Sequence, residues 1–284
     1  MTRMRVISIM LLMFALIVLS ACGSCPYKTE CQSEMQTQMY AAPILNRIHD
    51  RGELVVGMSG DQPPFNMTTR DGKIIGLEVD IATLIAKAMN VQLRIEDMKF
   101  AQLLPALEAG KVDMVISGVT IIPERNLKVA FVGPYFISGK SFLTKLNTLA
   151  SVKEPSQINN SHTKLAVLEG STSQMFVETF IPDATIVKTQ DYDEAKNLVF
   201  DDKVDALIAD YPFCLTTVFQ YPDQELVSLI KPITYEPLGI AIPGNDPLLT
   251  NWLENYLSFI EGSGLLDKIE DKWLEDPSWL EQMP

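Results

Sequence analysis

Small residues, a hydroxyl and a guanidinium lie close together in the segment SGVTIIPER, which spans residues 117–125. Arg125 offers a planar fork that can bind both oxygens of a carboxylate. Thr120 adds a hydroxyl donor, and the backbone near Gly118 is open to close approach because glycine has no side chain. Ser117 belongs to the same cluster of small residues. We therefore predict that this segment recognises a carboxylate.

A single carboxylate follows another apolar run, KVDALIA, which begins at Lys203 and ends just before Asp210. An ionised aspartate accepts hydrogen bonds from an ammonium group. A carboxylate-binding segment and an ammonium-binding residue together fit an α-amino acid. Taken alone, each residue also fits a structural role: Arg125 as a surface residue that caps a helix, and Asp210 as the cap of the turn before Pro212.

Two similar series of strands and helices are expected to position these residues. Short apolar runs between turn residues indicate strands, and apolar residues spaced by three and four indicate amphipathic helices. The predicted strands cover 54–58, 91–95, 113–117, 164–168, 185–188 and 205–209, and the predicted helices cover 79–89, 101–109, 193–200 and a segment opened by Ser171 or Thr172.

The end of each series has the same pattern. Lys111-Val112-Asp113 and Lys203-Val204-Asp205 each lead into an apolar strand. Two α/β lobes of similar build are therefore expected. Because ligands of open parallel sheets bind beyond the C-terminal ends of the strands, the residues after Ile116 and Ala209 are where a site is expected.

The N-terminus, residues 1–21, is predicted to be a secretory signal peptide. Arg3 and Arg5 precede an apolar run that is too short and wrongly flanked for a membrane-spanning helix. The four residues LSAC at 19–22 resemble the lipobox of bacterial lipoproteins, which implies cleavage before Cys22 and its lipidation. The alternative is a plain signal peptide with an incidental cysteine.

The segment after the signal is polar and has no apolar period, so residues 22–42 are predicted to be a lipidated N-terminus and a tether. The formal net charge of −13 argues against nucleic-acid binding. Cys25 and Cys31 lie close enough in sequence to pair, whereas Cys214 is predicted to be a small buried hydrophobe. With two distant histidines and no paired CxxC motifs, the sequence predicts no metal and no cofactor.

Motifs over nearly the whole chain after the signal resemble the periplasmic amino-acid-binding proteins of bacterial ABC importers, family 3 of the solute-binding proteins. Besides SGVTIIPER, they are GLEVDIATLIAKAM from Gly76, LLPALEAGKVDMVISG from Leu103, GPYFISG from Gly133, KVDALIAD from Lys203 and GLLDKIEDKWL from Gly264.

This resemblance implies a periplasmic-binding-protein type II fold, in which two α/β lobes with parallel-rich sheets are joined by two crossing hinge segments. It divides the chain into lobe 1, residues 43–140 plus 236–284, and lobe 2, residues 141–235. It further implies a monomer that captures an amino acid between closing lobes and delivers it to an ABC transporter permease. The expected location is the periplasm or the outer face of the cell membrane, with the lipid as anchor.

The family's site residues carry over at five positions of this sequence. The resemblance implies that Arg125 and Thr120 bind the ligand carboxylate and that Gly118 contributes through its backbone. It assigns the α-amino group to Asp210 and a place in the wall of the second lobe to Thr172.

Two further positions concern the ligand side chain. Phe100 falls where relatives place an apolar wall, although a core role fits it equally well. Gln62 stands where many relatives have an aromatic residue, so it is expected to hydrogen-bond a polar side chain, while Phe65 is expected in the core. Lys140 and Glu169 flank the expected cleft, where either could tune selectivity, although a surface position is the expectation for a lone charge.

Two alternative functions have some support. The segment GDQPPF at 60–65 and the ending DKWLEDPSWL are somewhat like cyclohexadienyl dehydratases, and Lys140 matches a lysine of that branch. However, the acid expected three residues beyond Asp210 is Phe213, and Leu168 replaces an expected polar residue, so no enzymatic activity is predicted. A ligand-sensing input protein is the other alternative, although no catalytic or transmembrane segment is seen before the chain ends at Pro284.

Overall fold

The computed structural model describes residues 42–147, 149, 152 and 154–283. The predicted signal peptide, Cys22, Cys25, Cys31 and nearly all of the predicted tether lie outside the described residues. The described helices are α1 Pro43–Arg51, α2 Leu77–Ala88, α3 Phe100–Glu108, α4 Pro123–Asn126, α5 Thr172–Phe180, α6 Tyr192–Phe200, α7 Tyr211–Gln220, α8 Pro247–Gly262 and α9 Leu265–Glu270. The strands are β1 Glu53–Met58, β2 Asp61–Gln62, β3 Asn66–Thr68, β4 Ile74–Ile75, β5 Gln92–Asp97, β6 Met114–Val115, β7 Ala130–Ser138, β8 Lys140–Thr144, β9 Lys164–Leu168, β10 Thr185–Thr189, β11 Ala206–Asp210, β12 Val227–Ser228 and β13 Glu236–Ile242.

The first sheet has the strand order β5-β1-β6-β13-β7. Strand β1 pairs in parallel with β5 and β6, whereas β13 runs antiparallel to β6 and β7. Five of the six residues of β1 are buried, as is expected for a central strand covered on both faces. Helix α2 buries Leu77, Ile81 and Ile85 against this sheet, following the predicted helical spacing.

The second sheet repeats this design with the order β10-β9-β11-β8-β12. Strand β9 pairs in parallel with β10 and β11, whereas β8 runs antiparallel to both of its neighbours, β11 and β12. In each sheet, therefore, four strands run in one direction and one strand, β13 or β8, runs against them. This confirms the predicted two-lobed α/β fold with parallel-rich sheets, and each predicted strand and helix overlaps an observed one.

The chain crosses between the sheets at Gly139 and again through residues 229–235. These two crossings lie side by side, because the Ile233 N–H donates to the Lys140 carbonyl (2.9 Å) and the Lys140 N–H donates to Thr234 Oγ1 (2.9 Å). A Cβ on Gly139 would lie 2.3 Å from the Thr234 carbonyl oxygen. Glycine is therefore needed at this crossing for steric reasons.

Two minor predictions about the core are confirmed. Phe65 is fully buried and packs edge-on against Phe136, with ring centroids 5.2 Å apart. Cys214 is a buried free thiol, and burial raises its pKa well above the usual range. In the described part of the chain, no helix has the length and apolar character needed to cross a membrane.

Candidate functional site

The C-terminal ends of the parallel strands in the two sheets face each other. Thr120 lies on the loop that follows β6, and Thr172 begins α5, which follows β9. Their hydroxyl oxygens are 3.3 Å apart, and both residues are buried. The two lobes therefore meet at the positions where the sequence predicts a site.

Arg125 bridges the two lobes from the short helix α4. Its Nη1 donates to the Thr120 carbonyl (2.9 Å), and its Nη2 donates to the Gly170 carbonyl in the second lobe (3.0 Å). The guanidinium carbon lies 5.8 Å from the ring centroid of Phe100, within the range of a cation–π contact. Phe100 is 8% exposed, so it belongs to the core and also contacts the predicted site.

Among the described side chains, no carboxylate lies within ion-pair distance of Arg125 to balance its positive charge. Burial lowers its pKa to about 10, and the negative charges of Glu236 and Asp210 oppose this effect. Arg125 is therefore protonated at neutral pH, and its hydrogen-bond acceptors in the described part of the chain are neutral carbonyl oxygens.

Asp210 ends β11 and precedes α7, but its side chain does not cap that helix. Instead Oδ1 accepts a hydrogen bond from Lys140 Nζ (2.7 Å), and Oδ2 accepts one from Gln62 Nε2 (2.8 Å). Gln62 belongs to the first lobe, so its amide joins the two lobes. The structure therefore brings Asp210 and Gln62 together in direct contact.

Lys140 is buried, so the surface position expected for it is wrong. Its side chain is 2% exposed, and its Nζ lies 2.7 Å from Asp210 and 3.6 Å from Glu236. A buried ammonium requires nearby carboxylates to offset its lost hydration. We refer to Asp210, Lys140 and Glu236 as the carboxylate cluster. Glu169, by contrast, is exposed as expected.

Gly118 occupies the left-handed region with φ of +60°, and a Cβ there would lie 2.2 Å from Gln62 Oε1. Its backbone N–H donates to Glu78 Oε1 (2.6 Å), so the amide predicted to contact a ligand is used inside the first lobe. What Gly118 supplies in this conformation is space for the Gln62 amide. Gln62 Oε1 is buried and has no hydrogen-bond partner in the described structure.

Ser117 is not brought to the junction between the lobes. Its Oγ accepts a hydrogen bond from the Ser59 N–H (3.0 Å) and lies 3.2 Å from Ser59 Oγ, inside the first lobe. Beside it, Glu78 accepts hydrogen bonds from Asn66 Nδ2 (2.6 Å) and from the Tyr135 hydroxyl. Burial raises the pKa of Glu78 to about 7.

Sequence reasoning missed two acidic residues that join the lobes. Glu236 Oε2 accepts a hydrogen bond from Thr172 Oγ1 (2.9 Å), and Asp61 Oδ2 accepts one from the Tyr192 N–H (2.8 Å). Burial raises the pKa of Asp61 to about 6, and the charges of Asp193 and Asp191 add to this rise. Asp61 lies in GDQPPF, a segment that the sequence had already singled out, whereas no motif marks Glu236.

A cavity of about 310 Å³ opens beside Arg125. Its lining includes Phe100, Leu104, Glu108 and Met175. The carboxylate cluster does not line this cavity, and Asp210 instead contacts Gln62 and Lys140 directly.

Two α/β lobes that meet through buried charged side chains define the class of two-lobed binding proteins. The family of bacterial extracellular solute-binding proteins, family 3, matches residues 54–276. The chain belongs to this family, which confirms the family predicted from the motifs. Membership implies a location outside the cytoplasm, in the periplasm or at the cell exterior.

The chain is similar to amino-acid-binding proteins and to an enzyme. The ABC transporter glutamine-binding protein GlnH of Bacillus subtilis (strain 168) is 29% identical over 271 residues, which cover 94% of this chain and 96% of that protein. The crystal structure of an ancestral amino acid-binding protein, a precursor of cyclohexadienyl dehydratase, is 34% identical with a TM-score of 0.74, covering 81% of this chain and 99% of that one. Cyclohexadienyl dehydratase of Pseudomonas aeruginosa is 26% identical, covering 81% of this chain and 86% of that enzyme.

Proposed function

We propose that this protein captures an α-amino acid between its two lobes and delivers it to the permease of an ABC importer. One observation carries the proposal: a guanidinium whose described hydrogen-bond acceptors are neutral carbonyls and a buried cluster with a surplus carboxylate lie at the same junction. A zwitterion carries a carboxylate that can bind the guanidinium and an ammonium that can bind the surplus carboxylate. The relatives named as ABC transporter binding proteins support the delivery step.

The ligand carboxylate is assigned to Arg125 and the Thr120 hydroxyl, beside Gly118. The α-ammonium is assigned to Asp210, with Thr172 in the wall of the second lobe. Phe100 and Gln62 would contact the ligand side chain, and Ser117 supports the loop from within the first lobe. We retain residues 43–140 plus 236–284 as lobe 1 and 141–235 as lobe 2.

Binding is proposed to shift the lobes toward the closed arrangement, because a ligand held by both lobes favours the state in which they meet. We further propose that the protein is a monomer held at the membrane by lipid on Cys22. The LSAC motif and the family's location outside the cytoplasm support this anchor. Replacing Cys22→Ser should abolish incorporation of radiolabelled palmitate and release the protein from the membrane fraction; unchanged labelling would contradict it.

Binding without catalysis is proposed, despite the related dehydratase. The acid that the resemblance to that branch places three residues after Asp210 is replaced by Phe213, whose ring stacks on Tyr192 with centroids 4.2 Å apart. Leu168 is likewise apolar and buried. General acid catalysis needs a proton donor beside the substrate, and these two side chains supply none.

A thermal-shift screen tests the proposed function. Protein refolded to remove any bound solute is screened against the proteinogenic amino acids, arogenate and prephenate. A ligand that binds only the folded state raises the melting temperature, so a shift with one or a few amino acids is expected. No shift with any amino acid would contradict binding, and conversion of arogenate or prephenate would establish the enzyme instead.

A further inference from the structure

The carboxylate cluster contains two acids and one base, all of them buried. The side chains of Lys140, Asp210 and Glu236 are 2%, 3% and 9% exposed. Lys140 is the only cation within ion-pair distance of either carboxylate in the described part of the chain. With both acids ionised, the cluster holds one unbalanced negative charge, which is costly away from water.

The contacts assign this surplus to Glu236. Both oxygens of Asp210 have strong donors, Lys140 on Oδ1 and Gln62 on Oδ2. Among the described residues, the donors to Glu236 are hydroxyls, Thr234 on Oε1 (3.1 Å) and Thr172 on Oε2 (2.9 Å), while Lys140 Nζ is more distant at 3.6 Å. Hydroxyls supply no charge, so Glu236 is the less compensated of the two carboxylates.

Glu236 is also in a suitable place for ligand recognition. It begins β13, directly after the second crossing between the sheets, and its hydrogen bond to Thr172 links the two lobes. Thr172 in turn lies 3.3 Å from Thr120, on the loop assigned to the ligand carboxylate. A group entering between these threonines would therefore lie close to Glu236.

We infer that Glu236 is a specificity-determining residue, which, together with Asp210, binds the α-ammonium of the ligand. The inference rests on the proposed function for the existence of that ammonium. Lys140 is the positioning residue that neutralises one of the two acids, so that the site accepts a single positive charge. Glu236 thus selects amino acids over carboxylates that lack the amino group.

Two pairs of probes test this inference in the full chain. L-glutamine differs from 4-carbamoylbutanoate, and L-lysine from 6-aminohexanoate, only in the α-ammonium. Calorimetric titration gives the affinity ratio within each pair for the wild type, for Glu236→Gln and for Glu254→Gln, a matched control at an exposed glutamate. Glutamine keeps an acceptor for Thr172, and circular dichroism verifies that the variant folds.

We expect Glu236→Gln to reduce the preference for the amino acid over its analogue by at least about 30-fold, the factor that corresponds to the lower end of the cost of losing one buried charge partner. The control should keep the wild-type ratio. An unchanged ratio in Glu236→Gln, or an equal loss for both members of a pair, would overturn the assignment.

A second experiment applies if the wild-type protein binds neither L-glutamine nor L-lysine. Methylammonium chloride is then compared with tetramethylammonium chloride at equal ionic strength in thermal unfolding. The Glu236 assignment predicts that methylammonium raises the melting temperature of the wild type and not of Glu236→Gln. Equal responses of the two proteins would overturn it, whereas failure of the amino acids alone counts against the proposed function.

Discussion

Arg125 and the carboxylate cluster lie at the same junction between the lobes, but their charges are satisfied in different ways. Arg125 donates to two backbone carbonyls, which are neutral and leave its charge unbalanced. The cluster cancels one charge internally through Lys140 and keeps one carboxylate in excess. The two ends therefore present opposite single charges, and we propose this difference as the physical basis for recognising a zwitterion.

The largest effect is expected where the cluster loses its base. Lys140→Ala leaves two buried carboxylates without a cation, and breaking a buried pair costs about 3–5 kcal/mol of unfolding free energy. Urea denaturation measures this loss. Lys203→Ala is the control, because the Lys203–Asp201 pair is exposed and should contribute about 0–1 kcal/mol. Equal losses in the two variants would remove the contrast between a buried cluster and surface pairs.

Removing the guanidinium of Arg125, at the other end of the site, should weaken ligand binding. Arg125→Ala is expected to cost about 2–5 kcal/mol of binding free energy to the amino acid that the screen identifies, because a desolvated charge partner is lost. Calorimetric titration gives the value. Arg94→Ala removes an exposed arginine at the surface and should bind normally. Near-normal affinity in Arg125→Ala would mean that this end does not hold the carboxylate.

Gly118→Ala should disturb the carboxylate cluster alone, through the contact between Gln62 and Asp210. The substitution costs roughly 1–3 kcal/mol of backbone strain at positive φ and places a Cβ against the Gln62 amide. Gly52→Ala is the matched control, since φ of Gly52 is +69° and a Cβ added there would have no atom within 4 Å. Both variants should lose stability, but only Gly118→Ala should lose ligand affinity. Equal affinities would exclude a role for the Gln62 position.

The smallest effect is expected at Asp61, which belongs neither to the contacts of Arg125 nor to the carboxylate cluster. Its pKa of about 6 in the folded protein exceeds the ordinary 3.8, so the folded state holds its proton more tightly. Its contribution to the unfolding free energy is therefore present at low pH and is lost as the pH rises from about 4 to about 6.

Asp61→Asn should remove that loss. Because Asp61 is partly exposed, the variant should gain on the order of 1 kcal/mol over wild type at pH 7 and nothing below pH 4. Urea denaturation across this pH range measures the difference, with Asp50→Asn at an exposed position as the charge control. A variant less stable than wild type at pH 7 would show that the ionised carboxylate stabilises the contact with Tyr192.

The sequence allowed the parallel strands and the main helices to be predicted, because their periodicity reflects local burial. Strand β9 was predicted with its exact ends, and α5 begins at the predicted Thr172. The rule that sites lie beyond strand ends pointed to Thr120 and Asp210, whereas Thr172 was assigned by the family resemblance.

Charge burial was less predictable, because it depends on contacts between distant segments. Lys140 directly follows the first crossing between the sheets, and Glu236 directly follows the second. The two crossings come together only in the folded chain, so the sequence around each charge does not indicate its partner. Glu236 also begins an antiparallel strand that adds to the first sheet from the far end of the chain. Likewise, the use of the Gly118 amide by Glu78 depends on a residue forty positions away.

A crystal structure of the protein with the amino acid found in the screen would show which residues hold the two charged groups of the ligand. We expect the ligand carboxylate within hydrogen-bond distance of Arg125 and Thr120, and the α-ammonium within that distance of both Asp210 and Glu236. A ligand bound in the cavity beside Glu108 and Met175 without touching the carboxylate cluster, or bound with its two charged groups reversed, would contradict this expectation.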